Sequence, residues 1–134
     1  MQRAWTGRSA PPDARLRRWM RAAAGGLSDV TLRIVGAAEA RRLNRTYRGQ
    51  DHATNVLSFR YGTTRGDLVL CHPVLSREAR AQGKTLAAHY AHLVVHGMLH
   101  LRGFGHARRR EAERMERRER AILARLGVAD PYAG

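Results

Sequence analysis

The chain has 134 residues, 43% of them hydrophobic and 27% charged, which suits one globular domain over 1–134 and leaves no room for two. A formal charge of +14, from 25 basic against 11 acidic residues, favours a polyanionic partner such as nucleic acid or an anionic surface. The single cysteine, Cys71, excludes an intrachain disulfide and a cysteine-based zinc cluster; with no apolar run near the roughly 20 residues of a membrane span, and arginines interrupting the N-terminal stretch where a signal core would lie, a soluble cytoplasmic protein is expected.

After a polar start, Pro11, Pro12 and Asp13 open a segment with Leu16, Trp19, Met20 and Ala23 at helical spacing, stopped by Gly25 and Gly26. From Val30 to Val35, Val30, Leu32 and Ile34 alternate with Thr31 and Arg33, the period of a half-buried strand. Glu39 to Tyr47 reads as a short helix, Arg48 to Thr54 as polar loop, and Asn55 to Tyr61 as a β-prone run. A turn with Gly62 and Gly66 leads to a second run, Asp67 to Cys71, which could pair with the first as a hairpin. Pro73 suits a first helical turn, and that helix runs to Gln82 before Gly83. Thr85 to Leu101 forms the next helix, broken by Gly103 and Gly105, and a last one from about Ala107 to Leu126 places Ala112, Met115, Ile122, Leu123 and Leu126 on one side.

Seven histidines are present, and three of them stand in the run His96-Gly97-Met98-Leu99-His100-Leu101-Arg102-Gly103-Phe104-Gly105-His106. Residues four apart share a helical face, so His96 and His100 can aim two imidazoles at one ion. Gly103 can take a positive φ, end the helix and return His106 as a third ligand. Three neutral nitrogens with a fourth position open are the arrangement of a catalytic zinc. His89 and His92 share the stripe as alternative ligands, as core, or as supports behind the ligands. Zinc proteases of the metzincin type carry His-Glu-x-x-His-x-x-Gly-x-x-His, and the histidines and glycine of that spacing are all matched. Their glutamate general base is here Gly97, which cannot move a proton and argues against peptide hydrolysis.

The same residues resemble the YbeY family of bacterial zinc-dependent endoribonucleases, whose motif His-Gly-x-Leu-His-Leu-x-Gly-Tyr-Asp-His is matched by His96 through His106. Further blocks match in order: Leu43 through Gly49 with Asp51, Thr54 through Phe59, Gly66 through Val69, and Ala91 through Gly97. The resemblance covers about Val30 to Tyr132. It implies an α+β fold, a small mixed sheet with helices around it, and one zinc ion per chain on His96, His100 and His106. It also implies Arg48 as the functional arginine, whose forked donors suit a phosphodiester under cleavage.

The activity so implied is metal-dependent cleavage of single-stranded RNA in ribosomal-RNA maturation, at the 3′ end of the small-subunit RNA, and in ribosome quality control. RNA would be the partner, with the ribosome or its proteins, and no membrane. A zinc-stabilised assembly factor without turnover is the alternative. Phe104-Gly105 replaces the family's Tyr-Asp, and Arg60 stands where proline is usual. Asn55 and Ser58 either line the cleft or satisfy backbone, and Asp67 either orients a ligand histidine or caps the turn after Gly66. The arginines and glutamates of the last helix read most simply as a solvated face of i,i+4 pairs.

Overall fold

A computed structural model describes residues 2–3, 10–105 and 107–132. The elements run β1 (Gln2–Arg3), α1 (Asp13–Ala23), β2 (Asp29–Val35), α2 (Ala37–Arg48), β3 (Val56–Arg60), β4 (Arg65–Cys71), α3 (His72–Ala81), α4 (Leu86–Leu101) and α5 (Arg109–Arg125). The expected α+β class holds, and the helices and strands fall where the periodicity places them, to within a few residues at their ends. β1 is the addition: two residues carry no period, and the sequence reads there only as a polar start.

The sheet order is β1-β2-β4-β3, parallel from β1 to β4 and antiparallel between β4 and β3. The hairpin forms as expected, with Val56 opposite Leu70 and Arg60 opposite Gly66. Its turn is closed by the Tyr61 N–H donating to the Arg65 carbonyl at 3.0 Å. Among the described strands β4 lies inside the sheet, and its run Leu68-Val69-Leu70-Cys71 is buried throughout. Alternation splits that run between two cores. Leu68 and Leu70 join Leu32, Ile34 and the apolar faces of α1, α4 and α5, while Val69 and Cys71 join Val35, Leu57, Ala40 and Val74 on the opposite side.

α4 is the centre of the larger core and touches α1, α3, α5, β3 and β4. Thr85 caps it, its hydroxyl accepting from the Ala88 N–H at 3.1 Å. From His89 to Leu101 every residue is buried except His92, His96 and His100, which are partly exposed. A helix apolar nearly all round is held by tertiary burial, each large side chain contributing about 1.5–3 kcal/mol. The three exceptions are spaced i, i+4 and i+8, so the one open stripe of the central helix is a stripe of histidines.

Gly97, beside that stripe, faces the sheet. A Cβ there would sit 2.1 Å from Leu68 Cδ1 and 3.3 Å from Val56 Cγ2, so the missing side chain lets α4 lie close on β3 and β4. The position that carries a glutamate in metzincins is here a packing contact.

Candidate metal centre and cleft

Four elements meet at the histidine stripe: α4 itself, the last turn of α2, the edge strand β3, and the buried face of α5. The rings of His96 and His100 lie 4.7 Å apart between centroids, as the four-residue spacing requires. After α4, Gly103 takes φ +96°, its N–H donating to the His100 carbonyl at 3.0 Å and that of Phe104 to the Leu99 carbonyl at 3.0 Å. The expected glycine turn at the end of the helix is therefore present. His106, the third expected ligand, lies outside the described residues.

Arg48 occupies the last position of α2, which Gly49 ends at φ +71°. Its Nη2 donates to the Ser58 carbonyl at 2.6 Å, and its guanidinium lies 5.0 Å from the centre of the Phe59 ring. These contacts pin the side chain over β3. Arg48, Asn55, Ser58, Arg60, His96 and His100 all line one cleft of about 480 Å³. Residues 48 and 96, remote in sequence, thus meet in one cavity.

Asn55 and Ser58 both line that cleft and satisfy polar groups. Asn55 Nδ2 donates to the Glu78 carboxylate at 3.2 and 3.3 Å, and the Ser58 hydroxyl donates to the Gly97 carbonyl at 3.3 Å. Asp67 does neither of the things expected of it. It lies within β4 and accepts the Tyr61 hydroxyl at 2.8 Å across the hairpin, because its register opposite Phe59 carries it past the turn.

The residue that sequence reasoning missed is Glu119. Taken with its neighbours as part of a solvated face, it is fully buried and sits behind the histidines. Its carboxylate accepts from His96 Nδ1 at 2.5 Å, His92 Nε2 at 3.1 Å and the Tyr132 hydroxyl at 2.6 Å. Burial pushes this carboxyl up, but the bonds from His92, His96 and Tyr132 outweigh it and hold the group down at about 2. The phenol of Tyr132 is raised in turn, by burial and by the bond to Glu119. A signal for Glu119 did exist: with Met115, Ile122 and Leu123 it continues the buried stripe of α5 at offsets of three and four.

An ionised carboxylate only accepts, so His92 Nε2 and His96 Nδ1 both carry protons. For His96 this sets the tautomer with its lone pair on Nε2, the form a metal ligand needs. As an alternative to that bonding, His92, His96 and Glu119 bring ligand atoms within 4.8 Å of one another and could hold a metal ion between them, with the bridging protons given up. His89 stands apart: buried, it faces Glu78 at 2.9 Å, and burial lowers its basicity. The donor set suits a metal ion, with imidazoles on one helical face and a carboxylate fixing the orientation of one ring.

A family model described as Endoribonuclease YbeY matches residues 15–127. A protein of that name from Aromatoleum aromaticum is 58% identical over 127 residues, covering 92% of this chain and 82% of its own. Another, from Bordetella pertussis, is 54% identical over 136 residues, covering 90% of this chain and 87% of its own. The solution structure of a Thermotoga maritima protein, 20% identical, agrees with a TM-score of 0.55 over 99% of this chain and 98% of that one, a likeness of fold.

Proposed function

The chain belongs to the YbeY family of endoribonucleases, and from that premise we propose that it is a zinc-dependent endoribonuclease of ribosomal-RNA maturation. Zinc would be held by His96, His100 and His106, and Arg48 would hold the scissile phosphate. The observation that carries this reading is the shared cleft, in which Arg48 and the paired rings of His96 and His100 face one cavity.

When bound, the metal supplies Lewis acidity beside the phosphate. Arg48 supplies positive charge to the phosphate oxygens; one of its five donors is committed to the Ser58 carbonyl, and this anchor presets the rest of the fork at low entropic cost. Ser58 and Asn55 keep the wall polar, and their own bonds to Gly97 and Glu78 hold that wall in place. Glu119 orients His96 from behind and keeps the proton on Nδ1. It is no substitute for the protease glutamate: fully buried and held at about 2, it takes up no proton near neutrality.

Chelation followed by return of zinc is the direct test. Cleavage of single-stranded and ribosomal RNA is expected to stop on metal removal and return with zinc, and the products will name the nucleophile. A cyclic phosphate means attack by the ribose 2′-hydroxyl, and its absence means attack by water. Cleavage that persists at full rate in the stripped protein would contradict the proposal, and RNA binding without turnover at any zinc level would make the protein an assembly factor. Binding itself is expected to weaken as salt rises, because neutralised phosphates release counterions.

A further inference from the structure

Two large apolar side chains stand out as exposed among the described residues, Tyr47 and Tyr61, each 61% accessible. They come from different elements, the end of α2 and the turn after β3, yet both line one groove of about 410 Å³. That groove shares Arg48, Ser58 and Arg60 with the cleft that holds His96 and His100, so the two cavities join along β3. From Ser58 to Tyr61 the strand covers about 10 Å, so the tyrosines flank a path leading away from the histidines.

Both rings are held in place rather than loose. Tyr47 packs edge-on to Phe59 with centroids 5.4 Å apart and planes at 68°, and Tyr61 is tied by its hydroxyl to Asp67. The cations beside them are Arg48 and Arg60, which are bonded to the Ser58 and Gly62 carbonyls. No carboxylate among the described residues pairs with either of them, whereas Arg33, deeper in the groove, is matched by Glu39 at 2.5 Å. Anchored aromatic faces with unneutralised guanidinium groups between them and the cleft match a strand that offers a base and a phosphate at each step.

We propose that this groove is a base-stacking subsite for single-stranded RNA. Nucleobases next to the scissile phosphate would lie on Tyr47 and Tyr61, with Arg48 and Arg60 along the backbone. The inference rests on the proposed nuclease reading for the direction of the strand. It adds a source of affinity independent of base identity, since every base has a face to stack. It also requires unpaired RNA, because a duplex hides those faces.

Binding and single-turnover cleavage test it, using the full chain, an unstructured RNA oligonucleotide and an abasic oligonucleotide with the same number of phosphates. The wild type is expected to bind the base-bearing strand more tightly. Tyr47→Ala and Tyr61→Ala are each expected to weaken that binding about tenfold, the size of one base–aromatic stack, while leaving the affinity for the abasic strand unchanged. Tyr47→Phe keeps its ring and its packing on Phe59 and is expected to bind as the wild type does, whereas Tyr61→Phe keeps the ring but loses its tie to Asp67 and is expected to fall between the wild type and Tyr61→Ala. Equal binding of the two strands, or wild-type affinity in both alanine variants, would overturn the subsite. Base-dependent binding by a zinc-loaded protein that cuts nothing would retain the subsite and sink the nuclease reading instead.

Discussion

Two carboxylate–histidine clusters flank the central helix, one made by Glu78 with His89 and Asn55, the other by Glu119 with His92, His96 and Tyr132. Their chemistry is alike and their exposure is reversed. In the first, the histidine side chain is 4% exposed and the carboxylate 31%. In the second, the carboxylate is at 0% and the histidines are at 17% and 24%. An imidazole sealed behind a half-exposed acid braces α3 against α4. An imidazole at the surface with a buried acid behind it is oriented toward whatever occupies the cleft. Spacing along α4 does not separate the two roles; which member of the pair is buried does.

Glu119→Gln puts an amide donor against three donors in a sealed site, and about 3 kcal/mol of stability is expected to go. Glu78→Gln, half-exposed, is expected to cost about 1 kcal/mol; urea midpoints for the two variants measure the contrast. Equal losses would end the distinction between brace and support. In zinc titrations Glu119→Gln is expected to weaken binding about 10- to 100-fold, with Glu78→Gln close to wild type.

Gly97→Ala tests whether the close seat of α4 on the sheet underlies both clusters. The new methyl gains up to about 1 kcal/mol of helix propensity but must displace the fully buried Leu68, and a net loss of about 1–2 kcal/mol is expected in thermal or urea unfolding. The smallest effect concerns His72, buried beside the Tyr90 hydroxyl at 2.6 Å, with no acid in that bond. Burial lowers its pKa below the ordinary 6.5, so the folded state disfavours its protonation. The stability this confers is full above pH 6.5 and is lost as pH falls through the lowered folded value. His72→Gln is expected to flatten that part of the pH–stability curve, and an unchanged slope would remove burial alone as its cause.

How far the sequence could be read follows from the same physics. Period and glycine placement marked α1 to α5 and the β3–β4 hairpin, and the His96–His100 spacing marked the stripe, because those signals are local. β1 escaped because two residues have no period. Glu119 escaped because α5 is crowded with charge, and a buried acid differs from its neighbours only in lying on the line of Met115 and Ile122. Gly66 reads as the end of the turn and Asp67 as the first residue of the strand, within reach of capping it, whereas β4 already begins at Arg65. The meeting of Arg48 with the histidines depends on β3 lying between α2 and α4, and the residues alone pointed to it only through the family resemblance.

The most direct measurement of the central claim is zinc content together with ribosomal-RNA cleavage, for wild type, His100→Ala and Arg48→Ala purified in parallel so that a contaminating ribonuclease would show in all three. The expected result is one zinc per wild-type chain, zinc retained by Arg48→Ala and depleted in His100→Ala, and cleavage by the wild type alone. Three preparations that cut equally, or a His100→Ala protein that keeps both its zinc and its activity, would contradict the account.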